Sequence, residues 1–481
     1  MQKHLGKDAF KMGLGRTVDV LDESMHPTRI IWRLAWPTVL EQFLIMIVQY
    51  VDTAMVGSLG KNATAAIALS SSFTWLMGGI FSGISLGFGV PVGRYIGAGK
   101  PDQAKAVVRQ SVLAILIFGA LATLIMQFLS PHLPVWLGAE DAIRADASAY
   151  ISIISAVYLF SLSINVCSNI LRCAGDTRTP LVFNIATNVI NVVLNTLLIF
   201  PTRTVAVLGL RFTMWGAGWG VSGAAVATAI ATAFSGVMLL TALFRPTFPV
   251  SIRLKDKFRF DKAIFKDMVR LGSPVTFERV TISLGQVALT AMVTALGTSE
   301  LAAHSLATTA ESITYMPAFG FSAAATTLVA QSLGAERPAL AKRFSRYCTL
   351  GAVAFMTAMG AVLFFGGEFL VSLFTPDLDV AALGGAVLRI EALAQPFFAL
   401  SMVICGIMRG ARQTKITFVI AAVGMWVVRI PLAFLLLRTT DLGLTCAWIA
   451  MASDLFTRGM IALFYYRKGT WLKSTGTGVA A

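Results

Sequence analysis

Apolar residues in this chain come in long runs rather than in stripes. Met356 to Phe365, Ala421 to Val428 and Ala224 to Leu243 are nearly free of charge. Runs of about 20 apolar residues match the ~30 Å hydrocarbon core of a bilayer when helical. Inside lipid every backbone polar group must be paired, which leaves helices or closed barrels. Period-two alternation is absent, and that removes the barrel. The pattern predicts about twelve helical spans. The first half gives 30–57, 64–93, 106–130, 146–170, 180–200 and 218–243. The second gives 268–296, 301–332, 345–366, 382–408, 416–437 and 443–466. Several are longer than the bilayer requires, so tilt or protrusion is expected.

The two halves repeat each other. Pro37 and Glu41 in the first span stand 237 positions before Pro274 and Glu278 in the seventh. Gln49 and Gln286, Leu59-Gly60 and Leu296-Gly297, Ala65-Ala66 and Ala302-Ala303, and Gly83 and Gly320 keep that offset. So do Gly97-Ala98 and Gly334-Ala335, Lys105 and Lys342, Arg172 and Arg409, and Thr177 and Thr414. The register breaks only near the loop 201–217, which is longer than its counterpart 438–442. Six spans is an even number, so each half starts and ends on the same side. The halves are then parallel, related by an axis along the membrane normal, as in several two-lobed transporters. Two lobes facing a central cavity suit alternating access. A single-pass receptor or an enzyme has no need of that symmetry.

Composition and charge agree with this picture. Of the 481 residues, 56% are hydrophobic and only 13% charged, against roughly 25% charged in soluble domains. The net charge of +15 raises the question of nucleic acid, and its distribution answers it. Basic residues gather on one side: Arg94 to Arg109, Arg172 and Arg178, the linker from Arg245 to Arg270, Arg337 to Arg346, Arg409 to Lys415, and Arg467 to Lys473. Roughly thirty lie on that side against roughly five on the other, which marks it as cytoplasmic. The charge is a topology signal, and no nucleic-acid partner is expected. Residues 1–28 mix both signs of charge and lack the apolar core of a signal peptide. The expected organisation is an N-terminal cytosolic tail 1–28, a six-helix lobe 29–245, a basic cytosolic linker 246–265, a second lobe 266–468 and a cytosolic tail 469–481. The five cysteines have no metal-ligand spacing and read as small packing residues.

A charged side chain at mid-bilayer costs about 2.5–3.5 kcal/mol on insertion scales, so ionisable groups within spans are functional candidates. Asp52 is the sharpest. It lies past the middle of the first span, and its repeat mate is Leu289, so no demand shared by both halves explains it. In the fifth span Asn184, Asn188, Asn191 and Asn195 recur at i, i+4, i+7 and i+11. That spacing sets four amides on one helix face. Such a row can coordinate a cation through its carbonyl oxygens, carry a water chain, or bond helices together. Glu41 and Glu278 each follow a proline by one turn, and Arg279 adjoins Glu278. A coupling role and an ion pair near the inner helix end both fit Glu278. Glu311, Glu391 and Asp454 lie in spans eight, ten and twelve, where Arg389, Arg429 and Arg458 could neutralise some of them. Glu311 is the stronger candidate of the three. His304 reads as structural, and Pro37, Pro274, Pro317 and Pro396 as kinks that could serve as hinges.

The string Pro37-x-x-x-Glu41 … Val51-Asp52-Thr53-x-x-Val56-Gly57-x-x-Gly60 resembles the first helix of the multidrug and toxic compound extrusion family. Gly97-Ala98-Gly99 and Leu171-Arg172-x-x-Gly175-Asp176-Thr177-Arg178-Thr179-Pro180 resemble its later motifs. Leu333-Gly334-Ala335 and Met408-Arg409-Gly410 match them in the second half. The resemblance implies twelve helices in a V-shaped pair of lobes and export of cationic drugs against Na⁺ or H⁺. In one branch of that family the first-lobe cation site joins the helix-one Asp to an Asn and an Asp on helix five and a Thr on helix six. Asp52, Asn191, Asn195 and Thr228 match those positions, with Asn195 standing where the second Asp would be. Another branch places a cation on a helix-seven Glu and a helix-ten Asp. Here Ala399, Leu400 and Ser401 occupy the helix-ten stretch, so a second-lobe site of that kind is not expected.

These readings converge on an all-α polytopic transporter of the inner cell membrane with both termini in the cytoplasm. It is expected to export small organic, often cationic, compounds by Na⁺ or H⁺ antiport, as a monomer and with no cofactor. The residues expected to carry coupling or substrate binding are Asp52, Asn188, Asn191, Asn195, Thr228, Glu278 and Glu311. Asp52 is the one place where a Na⁺ ion is expected. The alternative is a lipid-linked saccharide flippase of the same superfamily, which the span count and the scarcity of intramembrane arginine disfavour. No GxxxxGK[ST] nucleotide loop is present, so ATP is not the expected driver, and nothing points to an enzyme.

Overall fold

The computed structural model describes residues 17–473 except 23, 208–209, 247, 249, 254 and 257, with backbone alone at 61, 71–72, 205–207 and 210–212. The far parts of both expected tails, 1–16 and 474–481, lie outside these residues. Twelve long helical segments stand among the described residues. The first six are α1 (Pro27–Gly57), α2 (Lys61–Gly97), α3 (Pro101–Leu129), α4 (Asp141–Ala156 and Tyr158–Cys173), α5 (Arg178–Leu198) and α6 (Gly220–Ala242). Then follow α7 (Lys262–Thr294), α8 (Thr298–Gly334), α9 (Pro338–Ser372), α10 (Leu378–Gly410), α11 (Thr414–Thr439) and α12 (Leu444–Lys468). Among the described residues ten are long and apolar enough to cross a membrane, and the two pieces of α4 together make an eleventh. α7 is the most polar, because Lys262, Lys266, Asp267, Arg270, Glu278 and Arg279 fall in its first half.

Local chemistry sets several boundaries. Proline opens α1, α3 and α9 at Pro27, Pro101 and Pro338, where its missing N–H costs nothing. Asp261 caps α7 by accepting from the Ala263 and Ile264 amides, and Asp377 caps α10 in the same way. Four features add to the expected organisation. The first span starts at Pro27, so part of the expected tail is helix, and Val20 before it is buried beside Ile30, Leu34 and Phe344. The span expected at 146–170 is bent by 49° at Val157. The basic linker also carries apolar anchors: Phe248, Val250 and Ile252 are buried in the first-lobe core. The loop 201–217 is an antiparallel hairpin, β1 (Pro201–Val207) with β2 (Leu210–Ala217), in register Arg203↔Met214 and Val207↔Leu210.

The repeat is visible in the packing. α1 packs on α5 of its own half and on α8 of the other; α7 packs on α11 and on α2. The four helices that bridge the halves meet through small residues. A side chain at Gly83 would strike Thr276 and the Gly272 carbonyl, and one at its repeat mate Gly320 would strike Val39 and the Ala35 carbonyl. At the basic ends of α2 and α8, Gly97 faces the Gln331 carbonyl and Gly334 faces the Arg94 carbonyl. Such close approach needs residues without a Cβ. From Pro317 to Gly334 every residue of α8 is buried except Phe319 and Ala323. The other half of α2, before Gly79, is mostly exposed or half-buried. The two lobes are therefore closed at the basic end and diverge away from it.

Gly334→Val is expected to wedge this closure open. Reactivity of a cysteine placed at the fully buried Ser332 toward a membrane-permeant maleimide should rise several-fold in that background. Unchanged labelling would show that the crossing does not seal the basic end.

Candidate functional site

Asp52 lies in α1, little more than a turn before the end of the helix. Its Oδ1 accepts a 2.5 Å hydrogen bond from Asn195 Nδ2 of α5. Asn195 Nδ2 also donates to Asn191 Oδ1 at 3.2 Å, and Asn191 Nδ2 donates to Thr228 Oγ1 of α6 at 3.1 Å. Three helices thus converge on one chain of polar groups. Asn191 is 4% exposed and Asn195 0%. Asn195 Oδ1 is buried with no hydrogen-bond partner. Among the described residues Asp52 has no ion pair. The oxygens gathered here are a carboxylate, two amide carbonyls and a hydroxyl, hard donors of the kind that hold hard cations.

Apolar side chains border the site on the side away from the basic end, while Asp52 itself is half-buried. Val56 and Ile199, one turn beyond Asp52 and Asn195, form an apolar cluster with Ala63, Val221 and Ala224, against which Tyr150 packs. A dry wall of this sort raises the cost of leaving a charge uncompensated. The asparagine row is not one continuous strip. Asn188 Nδ2 donates to Asn184 Oδ1 at 3.0 Å, one pair apart from the Asn191–Asn195 pair that reaches Asp52.

In the second lobe Glu278 is engaged elsewhere. It pairs with Arg409 and accepts a 2.6 Å bond from Thr417 Oγ1. The adjoining Arg279 makes no such pair. At the matching positions of the first lobe Glu41 pairs with Arg172 at 3.0 Å. The same acid–arginine clasp thus occurs twice, 237 residues apart. Both acids are within about a turn of a helix proline, and both arginines end the fourth helix of their lobe. A feature common to both lobes answers a demand of the fold. The sequence held the signal, since all four residues keep the repeat offset, but their spatial pairing could not be read from it.

Glu311 lies far from Asp52 in sequence and lines a separate cavity of about 240 Å³ in the second lobe. Arg429 and Arg458 both bind Asp454, with Arg429 Nε at 2.7 Å and Arg458 Nε and Nη2 at 2.5 and 2.7 Å. Arg389 instead faces Glu368 at 3.9 Å, away from the three acids it was expected to serve. A π-helical stretch, Val423–Arg429, interrupts α11 and brings Gly424 against Asp454 and Arg458. Insertions of this type often mark functional positions. Glu391 is fully buried with neither oxygen hydrogen-bonded. His304 stacks edge-on against Trp448 at 5.8 Å. Four arginines border this cavity, more than the sequence reading allowed for.

The MatE family model matches residues 37–197 and again 274–435, so the two matches begin at the repeat mates Pro37 and Pro274. The chain is 28% identical over 448 residues to a probable multidrug resistance protein NorM of Thermotoga maritima, covering 92% of each chain. It is 22% identical to the uncharacterized transporter YisQ of Bacillus subtilis, over 94% of this chain and 97% of the other. Among solved structures, an outward-facing conformation of a multidrug resistance MATE family transporter superposes with a TM-score of 0.86 at 22% identity, covering 95% and 99% of the two chains. A MOP superfamily transporter from Pyrococcus furiosus, described as having a binding pocket of reverse polarity, gives 0.85 at 22% identity over 95% and 99%.

Removing the Asn195 amide strands the Asp52 carboxylate. Asn195→Leu is expected to lower the unfolding midpoint of the purified protein by the equivalent of about 1–3 kcal/mol, the cost of an unsatisfied buried polar group. Adding Asp52→Leu should recover most of that loss. Strictly additive losses would show that the two side chains do not depend on each other.

Proposed function

This chain belongs to the MatE family of membrane transporters, and on that premise we propose that it exports small organic compounds in exchange for a cation bound at Asp52. The observation that carries the reading is the state of that carboxylate. Glu41, Glu278 and Asp454 are all matched by arginine. Asp52 is met only by a neutral amide and lies beside an amide oxygen without a partner. A carboxylate in that setting gains strongly from a proton or a Na⁺ ion. Asn191, Asn195 and Thr228 would complete the oxygen set, with the Asn184–Asn188 pair outside it.

Exchange requires that cation and substrate favour different states of the lobes. A ligand shifts such an equilibrium only by its difference in affinity between the two states. By linkage, a cation that weakens substrate binding is itself weakened by substrate to the same degree. In this scheme the cation enters at Asp52 from outside and substrate leaves outward. The lobes, 29–245 and 266–468, then rock about the small-residue crossings of α1, α2, α7 and α8, and the cation is released inside. The basic ends of the helices and both termini face the cytoplasm of the inner membrane, and one chain suffices for the cycle. A flippase of lipid-linked saccharides would call for a strongly basic cavity. Here Glu278, Glu311 and Asp454 offset most of the four arginines.

Efflux of a rhodamine dye from proteoliposomes, driven by a Na⁺ gradient or a pH gradient applied separately, tests the reading and identifies the ion. One gradient should drive efflux in the wild type, and Asp52→Asn should reduce it to the background of empty vesicles while inserting normally. Undiminished driven efflux by Asp52→Asn would remove Asp52 from the mechanism.

A further inference from the structure

The second-lobe cavity has a charge pattern that the coupling scheme does not use. Four arginines border it: Arg279, Arg409, Arg429 and Arg458. Glu278 accounts for Arg409, and Asp454 is shared by Arg429 and Arg458. Arg429 also donates to Gln286 Oε1 at 3.1 Å and faces Glu311. Arg279 is left over. It makes no ion pair among the described residues, and its Nε is buried with no hydrogen-bond partner. A guanidinium stays charged under all ordinary conditions, so at the cavity mouth this one offers a fixed positive charge to an anionic group.

Its position is informative. The Arg279 Cβ packs against Gly79 of α2, where the two lobes meet, and the side chain borders the cavity. Half-buried Arg279 and Tyr315 and exposed Gln286 mark the open side. Behind them Tyr315 stacks edge-on with Phe398 at 5.4 Å and with Phe319 at 5.9 Å, and Met402 and Met425 complete an apolar wall. The repeat serves as a control. The mates of Arg279, Glu311 and Arg429 are Gln42, Thr74 and Val192, so these charges belong to one lobe only.

We propose that this cavity binds the carboxylate end of an aromatic, amphipathic substrate, with Arg279 as its counter-ion. Planar guanidinium and carboxylate match bidentately, and the aromatic and methionine wall takes flat apolar surface without demanding one shape. At about 240 Å³ the cavity is smaller than the roughly 300–1,000 Å³ of a whole drug site. It therefore takes the charged end and leaves the rest of the compound in the space between the lobes. Zwitterions qualify, since a cationic portion can remain outside. The assignment rests on the export reading and narrows its substrate class.

The test is equilibrium binding to the purified protein in nanodiscs, by fluorescence polarisation, of a rhodamine carboxylate and its methyl ester. The acid should bind the wild type about tenfold or more tightly than the ester, as expected for a hydrogen bond to a charged group. Arg279→Gln should abolish that preference, and Arg279→Lys, which keeps the charge and loses the fork, should retain part of it. Equal binding of acid and ester by the wild type overturns the proposal whether or not a variant folds. A folded Arg279→Gln protein that keeps the preference overturns it too. No gradient is present in this assay, so a lost preference leaves antiport standing. A kept preference with failed gradient-driven efflux has the opposite meaning.

Discussion

A charge held inside a hydrocarbon slab must be compensated, and the architecture of this chain follows from how it meets that constraint. Nearly every intramembrane acid seen here has its own answer. Glu41 and Glu278 take an arginine from the end of the fourth helix of their lobe, and Asp454 takes two. These acids are buried, and each is hydrogen-bonded by at least one arginine, the condition under which ion pairs in a low-dielectric interior become tolerable. Asp52 is different in kind. It holds a neutral amide on one oxygen and nothing charged at all. Glu391 is also buried with neither oxygen hydrogen-bonded, but the proposed coupling rests on Asp52, where amide and hydroxyl oxygens gather beside the carboxylate.

Internal duplication separates scaffold from chemistry without any other sequence for comparison. What both lobes share serves the fold: the glutamate–arginine clasps, the proline-opened helices, the glycines at which α2 and α8 cross. Residues that only one lobe carries are the candidates for function. Asp52, Asn191 and Asn195 face Leu289, Val428 and Leu432 in the repeat. Arg279, Glu311 and Arg429 face Gln42, Thr74 and Val192. In the proposed scheme one lobe offers oxygen to a cation and the other a guanidinium to an anion. In that scheme the closed crossing at the basic end serves as the common fulcrum of the two lobes.

Much of this was legible in the sequence. The apolar runs gave the twelve helices, and an offset of 237 gave the duplication. Asp52, Asn191, Asn195 and Thr228, named from spacing and resemblance, do meet in space. Other features were hidden for physical reasons. Pairing of Glu278 with Arg409 rather than with its neighbour Arg279 depends on which faces of α7 and α10 meet, and a polar residue on an apolar helix does not disclose its direction. The bend at Val157 and the π-helical stretch Val423–Arg429 carry no proline or glycine pair to announce them at the point of distortion. The hairpin at 201–217 was missed because the loop was judged by its length alone.

The most direct test of coupling at Asp52 needs no vesicle. Substrate added to the purified protein in weakly buffered solution should displace the bound cation, seen as released protons or as released radioactive Na⁺. The wild type should release a single cation per bound substrate, and a protein lacking the Asp52 carboxylate should release none even where substrate still binds. Equal release by both would place the exchanged cation elsewhere and contradict the account.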